Sequence, residues 1–284
     1  MAGTQRSILI TGCSSGIGEA AARRMRERGW RVFATARGEV DVARLADAGF
    51  EALPLDLADS ASIRRAVDAV LERTGGTLDA LFNNGAYGQP GAVEDLTREV
   101  LREQLETNLL GTHELTCLVL PAMRAQGYGR IVHNSSILGF AALPYRGAYN
   151  CSKFALEGLA DTLRLELAGS GIHVSLIEPG PIATRFRDNA YAAYERHIDR
   201  ENSAHSAIYR VLERRLRGEA GKTPFTLPAD AVVDKLVHAL DSRRPRARYY
   251  VTFPTHLFGF LKRILPTRWM DWVLLSSTAK ERRE

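Results

Sequence analysis

The sequence predicts an α/β fold: a doubly wound parallel sheet covered by helices on both faces. Three observations carry that expectation. Short runs that are apolar throughout alternate with longer stretches of helical period, the order strand–helix–strand–helix–strand comes twice, and no linker or low-complexity segment interrupts it. Strands apolar at every position are those buried on both faces, as in a parallel sheet between two helical layers. Such a sheet binds its ligands at the carboxyl ends of its strands.

In chain order the strands are expected at 7–10, 31–35, 51–54, 80–83, 130–133 and 173–178. Helices are expected at 17–28, 61–72, 98–123 and 148–167 between them. A helix at 229–240 precedes a last strand near 248–251. With no boundary apparent, 1–251 reads as one domain and 252–284 as an apolar, basic, helical C-terminal extension.

Composition narrows the function. At 284 residues, with 45% apolar and 25% charged residues, the chain has the makeup of an ordinary globular protein with a substantial core. The apolar run near the N-terminus, Ile8 to Ile10, is too short for a secretory signal. Cys13, Cys117 and Cys151 lack the spacing of a disulfide framework or a zinc site, so no metal is expected and a reducing cytoplasm fits. Of the net charge of +5, residues 1–242 contribute −2 and 243–284 contribute +7. Those basic residues sit among large apolar ones without a recognised nucleic-acid motif, so no nucleic-acid partner is expected.

The first strand runs directly into TGCSSGIG (11–18) and then a helix. Gly12, Gly16 and Gly18 permit a tight turn, close approach of backbone to a pyrophosphate, and close packing of helix on strand. The helix N-terminus offers free N–H groups to the phosphates. This is the Rossmann-type arrangement. After the second strand, FATARGE places Ala36 where an acid would take the 2′-hydroxyl of NAD, and Arg37 follows. A guanidinium suits the 2′-phosphate of NADP, so NADP (NADPH) is expected ahead of NAD.

Tyr149 and Lys153 stand four apart at the opening of a helix, hence on one face. Together with the glycine turn they bring the chain into resemblance with the classical short-chain dehydrogenase/reductase family. Its motifs appear in order: TGCSSGIG, LDLAD (55–59), NNGA (83–86), Asn108 in TNLLG, Ser136 in NSSILG, YNCSK (149–153) and EPGPIAT (178–184). The resemblance is strong over about residues 6–186 and looks nearest to the 17β-hydroxysteroid and retinol dehydrogenase branch and its bacterial relatives. One departure is the order Asn83-Asn84-Gly85-Ala86, where the family usually has Ala before Gly. An Ala86 held at positive φ would be strained.

The resemblance implies an NADP-dependent oxidoreductase that moves a hydride between cofactor and a carbonyl or alcohol. Ser136 would hold the substrate oxygen, Tyr149 would act as general acid, and Asn108 would anchor a water linking Lys153 to solvent. Lys153 would also bind the nicotinamide ribose. Asp56 and Leu57 would lie at the adenine, and Asn83 and Gly85 at the adenosine ribose. Gly12, Ser14, Ser15, Gly16, Ile17 and Gly18 would take the phosphates, with Pro179, Gly180, Ile182 and Thr184 around the nicotinamide. A homo-oligomer is also implied.

The chemistry needs these groups. A carbonyl that accepts hydride must be protonated as it does so, by an acid within hydrogen-bond reach. A free phenol has a pKa of ~10, and a neighbouring cation is expected to lower it. Residues 185–226 would form a substrate flap, with Tyr191 and Tyr194 at its entrance, and Phe140, Leu143 and Tyr145 suit an apolar pocket or buried core equally. The substrate is therefore expected to be lipophilic: an aldehyde, ketone, retinoid or steroid-like compound. A non-catalytic, cofactor-sensing protein on the same fold is the alternative, and the intact Asn108, Ser136, Tyr149 and Lys153 argue against it. The tail HLFGFLKRILPTRWMDWVLL is too charged to span a bilayer. It suits an interfacial helix in weak peripheral contact with a membrane, or packing on its own domain or a partner subunit.

Overall fold

The structure, a computed structural model, describes residues 5–219 and 223–279. Its first half runs β1 (Ser7–Ile10), α1 (Gly16–Glu27), β2 (Arg31–Ala36), α2 (Glu39–Asp47), β3 (Glu51–Pro54), α3 (Ser60–Thr74) and β4 (Ala80–Asn83). Next come α4 (Arg98–Leu105), a π-helical turn (Glu106–Leu110), α5 (Gly111–Gln126), β5 (Gly129–Asn134), α6 (Gly147–Glu166) and β6 (Ile172–Glu178). The chain continues with α7 (Phe186–His197), α8 (Ser206–Leu216), α9 (Asp230–Asp241), β7 (Arg248–Tyr250), α10 (Phe253–Ile264) and α11 (Thr267–Ser277).

The seven strands pair in the order β3-β2-β1-β4-β5-β6-β7, and every pairing is parallel. Side chains alternate across a strand, so each strand serves two cores. Ile8, Ile10, Ala34 and Phe82 pack with Ala21 and Met25 of α1 and Val233 and Leu236 of α9. Leu9, Phe33, Leu81 and Ile131 pack on the other face with Ile63 and Val67 of α3, Leu115 of α5 and Ala160 of α6. The chain winds outward from β1 to β3, then crosses back to β4 beside β1. That reversal makes the carboxyl ends of β1 and β4 the crevice where a ligand enters.

Three departures from the sequence reading have local causes. The helix expected over 98–123 is two helices with a π turn between them, and Asn108 sits buried in that turn. The small helix α2 was not anticipated; it buries Leu45 alone and has no side-chain cap, so little of it is written in apolar period. Ala86 does not take a positive φ, and neither does Gly85, so the swapped order strains nothing. Gly85 is needed for closeness instead: a Cβ there would meet Leu57 Cδ1 at 3.0 Å.

Helices α7 and α8 form a lid-like layer around a third cluster, Ala92, Tyr194, Ile198, Tyr209 and Leu212. Tyr194 is thus core rather than entrance, while Tyr191 is bonded to Glu195 and Arg217. The inner faces of α10, through Phe258 and Leu261, and of α11, through Met270 and Leu274, pack on Ala141 beside Ile137, Phe140 and Leu143. Phe140 and Leu143 therefore join the tail to the loop that leads from β5 to α6. Tyr145 packs against the flap cluster instead and takes a φ of 60°.

Candidate active site

Helix α6 presents Tyr149, Lys153, Glu157 and Asp161 at four-residue spacing, so they form one stripe running down from the carboxyl end of the sheet. Ser136, at the end of β5, hydrogen-bonds the Tyr149 hydroxyl. Its Oγ also accepts from Leu138 N–H at 3.1 Å. The Lys153 Nζ donates to the Asn134 carbonyl at 2.8 Å and stands 5.7 Å from the centre of the Tyr149 ring. Ser136, Tyr149 and Lys153, which the sequence reading selected, therefore converge at one place.

The electrostatics differ from the expectation. Burial pushes the Tyr149 phenol up to about 12, with the Ser136 bond partly opposing it. Burial pushes Lys153 down to about 8, against the attraction of Glu157. Loss of solvation dominates at the phenol, so Tyr149 is a neutral acid at physiological pH. His133, beneath the site, is pushed down to about 3 by burial and then by Lys153, and is neutral.

Asn108 is tied at both ends of its amide to one residue. Its Oδ1 accepts from Tyr87 N–H at 3.1 Å and its Nδ2 donates to Tyr87 O at 2.9 Å. The Nδ2 also reaches Ser152 Oγ at 3.2 Å, and that hydroxyl donates to Tyr149 O at 2.8 Å. The π turn, which opens the i→i−4 ladder, is thereby clamped to the first turn of α6. With its side chain fully used, Asn108 can offer only its backbone to a water.

At the crevice, Gly12 and Gly16 have φ values of 71° and 60°. A Cβ on Gly12 would lie 2.8 Å from Gly85 Cα, and one on Gly18 would lie 2.1 Å from Gly12 O. Ser14 accepts a hydrogen bond from Arg44 through its carbonyl, Ser15 caps α1 without a side-chain bond, and Ile17 packs into the core. The N-terminus of α1 is therefore left open. Arg37 is exposed at the end of β2 and makes no hydrogen bond or ion pair among the described residues. Asp56 Oδ1 accepts from Ala58 N–H, and Leu57 lies under Gly85 and Gly111. Thr184 packs on Gly16, Ile182 bridges to Leu227, Pro179 O accepts from Ile137 N–H, and Gly180 lies against Thr252.

Asn83 is buried at the end of β4. Its side chain is spent in the interior, donating to Thr116 Oγ1 at 2.9 Å beside His133, so residue 83 offers the crevice only its backbone. Asn84 is the side chain at the turn: it donates to Thr11 O and Gly12 O and accepts from Asn134 Nδ2. The period-two alternation of β4 would have separated the two asparagines. The sequence reading also passed over Ser152 and Phe186. The Phe186 ring meets Tyr149 edge-on at 5.4 Å, from the first residue of α7.

Below Lys153, Glu157 and Glu178 lie close together, with Arg248 bridging them: its Nε is 3.2 Å from Glu178 and its Nη2 3.1 Å from Glu157. Glu178 is fully buried and immediately precedes Pro179. Burial first, then the Glu157 carboxylate, push it well above the ordinary carboxylate range.

Residues 6–195 match the profile of the family described as short chain dehydrogenase. The chain is 43% identical over 270 residues to "Uncharacterized oxidoreductase YbbO" of Escherichia coli K12, covering 95% of this chain and 94% of the relative. It is 34% identical to human 17-beta-hydroxysteroid dehydrogenase type 1, covering 86% and 77% respectively. Among solved structures, a Burkholderia phymatum short-chain dehydrogenase/reductase in complex with NAD superposes with a TM-score of 0.76 at 26% identity, covering 92% of each chain. A single-residue variant of the actinorhodin polyketide ketoreductase with NADPH gives a TM-score of 0.69 at 32% identity, covering 87% of this chain and 95% of that one. Fold, ordered motifs and relatives agree: the chain belongs to the short-chain dehydrogenase/reductase family, oxidoreductases that work with a nicotinamide cofactor.

Proposed function

We propose that this enzyme uses NADPH to reduce the carbonyl group of a lipophilic small molecule, with Tyr149 as proton donor. The observation that carries the reading is the convergence of Ser136, Tyr149 and Lys153 on one buried patch at the carboxyl end of the sheet. The cradle fits the cofactor: close backbone packing at Gly12 and Gly18 leaves no room for side chains, Gly85 lies tight against Leu57 and Thr11, and the N-terminus of α1 is uncapped. Gly12, Ser14, Ser15, Gly16, Ile17 and Gly18 would hold the pyrophosphate, and Asp56, Leu57, Asn83 backbone and Gly85 the adenosine. Pro179, Gly180, Ile182 and Thr184 would border the nicotinamide. When bound, the reduced nicotinamide supplies the hydride.

The chain's own groups handle the oxygen and the proton. Ser136 Oγ accepts from Leu138 N–H and gives its one hydrogen to the Tyr149 oxygen in the free enzyme; that hydrogen would turn to the substrate oxygen when substrate enters. Tyr149, kept neutral by burial, gives its proton to that oxygen as the carbonyl becomes an alcohol. The Lys153 ammonium stabilises the phenolate left behind. Of its three N–H donors one serves Asn134, which leaves two for ribose hydroxyls. Asn108 and Ser152 act by position, holding the opening of α6.

Arg37 supports NADPH over NADH, because it is an exposed and unpaired cation at the end of β2, where no carboxylate stands. Phe186 over Tyr149 supports an apolar substrate. So does the likeness to a 17-beta-hydroxysteroid dehydrogenase. The test is the loss of NADPH absorbance against a panel of aldehydes and ketones of graded hydrophobicity, with NADH run alongside. Oxidation of NADPH, strongest with the apolar members, is expected. No turnover with any carbonyl, or a preference for NADH, would overturn it.

A further inference from the structure

Helices α10 and α11 have finished inner faces and unfinished outer ones. On α10, Phe253, Leu257, Phe260 and Ile264 follow an i, i+4, i+7, i+11 pattern, so they form one stripe along the outside. Phe253 is 59% exposed, Phe260 60% and Ile264 57%. On α11, Trp269 and Trp272, at 67% and 70% exposure, point away from the packed Met270 and Leu274. The stripe extends onto the end of the flap region, where the exposed Phe225 takes a φ of 60° and packs on Phe253 at 5.2 Å between ring centres. A run of this size is not the scatter of single apolar residues found on any surface.

We propose that this face docks on the surface of an anionic lipid bilayer. The two helices carry Lys262, Arg263 and Arg268 against a single acid, Asp271. Arg263 and Arg268 are exposed and enter no ion pair among the described residues. An apolar stripe with tryptophans and flanking arginines is the pattern of a helix lying in the headgroup region, where the amphipathic indole is at home. No helix among the described residues is long and apolar enough to cross a membrane, so the contact is with one leaflet. A second copy of the chain is the poorer occupant. A twofold interface would gather the arginines of both copies into one patch while removing water, with a single acid from each chain to offset them, whereas anionic headgroups neutralise them. The proposal rests on this surface alone and not on the identity of the substrate.

The three tryptophans make the test specific. Trp30 is buried in the core, so a change in fluorescence on binding reports Trp269 and Trp272. The full chain is titrated with vesicles of phosphatidylcholine alone and of phosphatidylcholine with phosphatidylglycerol, at low and high salt, reading emission and co-sedimentation. A blue shift and pelleting with the anionic vesicles, weakened on the order of tenfold or more at high salt, are expected. Trp269→Ser/Trp272→Ser should abolish pelleting, and Arg263→Gln/Arg268→Gln should weaken it on the order of tenfold, both with turnover of a water-soluble carbonyl unchanged. Absence of both signals with the anionic vesicles overturns the proposal. So does a wild type whose tryptophan variant changes only its oligomeric state in sedimentation velocity, because that assigns the face to a second copy.

Discussion

The Lys153 ammonium donates to the Asn134 carbonyl oxygen at 2.8 Å from a position almost closed to solvent. The hydrogen bond does not repay the lost hydration, and the amine's pKa falls from 10.5 to about 8. The folded state thus binds fewer protons than the unfolded chain between those values, and this residue makes stability rise with pH across that window. Below it, the buried charge costs on the order of 3 kcal/mol. Lys153→Met should therefore raise the Tm at neutral pH, by ~2 °C or more, while weakening NADPH binding. Calorimetry and a cofactor titration check both halves; an unchanged Tm with unchanged affinity would contradict them.

The same shift sets the pH dependence of reduction. Lys153 loses its proton well before Tyr149, whose phenol is held near 12. The rate should be level through neutrality and fall as pH rises through about 8, when the ammonium that stabilises the phenolate is lost. A kcat/KM profile for NADPH-dependent reduction that still climbs at alkaline pH would remove Lys153 from this role.

Cofactor choice should turn on Arg37, which makes no hydrogen bond or ion pair among the described residues. Arg37→Asp places a like charge at the 2′-phosphate and should weaken NADPH by roughly ten- to a hundredfold, equivalent to ~1.5–3 kcal/mol, while NADH improves relative to it. The ratio of kcat/KM for the two cofactors reads this directly. An unaltered ratio would locate the discrimination elsewhere.

Glu178 holds a proton in the folded state that it gives up when unfolded, because burial and the Glu157 carboxylate disfavour its charge. A carboxyl shifted upward contributes stability at low pH that is lost as pH rises out of the ordinary carboxylate range. Glu178→Gln keeps the neutral shape and removes that loss. Its Tm should decline less than that of the wild type between about pH 6 and pH 9. Parallel curves would mean that Arg248 keeps Glu178 ionised throughout.

What the sequence disclosed, and what it hid, follows from where each constraint acts. Gly12, Gly16 and Gly18 were legible because a tight turn and close packing demand glycine locally. The Tyr149–Lys153 pair was legible because helical spacing alone puts both on one face. The break between α4 and α5 was hidden: Asn108 is held by Tyr87 and Ser152, and such bonds leave no periodic trace. The pKa of Tyr149 was misread for a related reason, since burial is a tertiary property and here it dominates. Tyr194 was misplaced because an aromatic in a polar helix reads as surface until the facing layer, Tyr209 and Leu212, is known.

The central claim is that Tyr149 delivers the proton. It is tested most directly by Tyr149→Phe, measured for NADPH-dependent reduction and for NADPH binding together. The ring and its edge contact with Phe186 remain, and only the donor and its bond to Ser136 are lost. Turnover should fall at least a hundredfold, the lower end of what a positioned acid contributes, with NADPH affinity nearly unchanged. A Phe variant that keeps more than about a tenth of the wild-type kcat would show that the proton comes from another group.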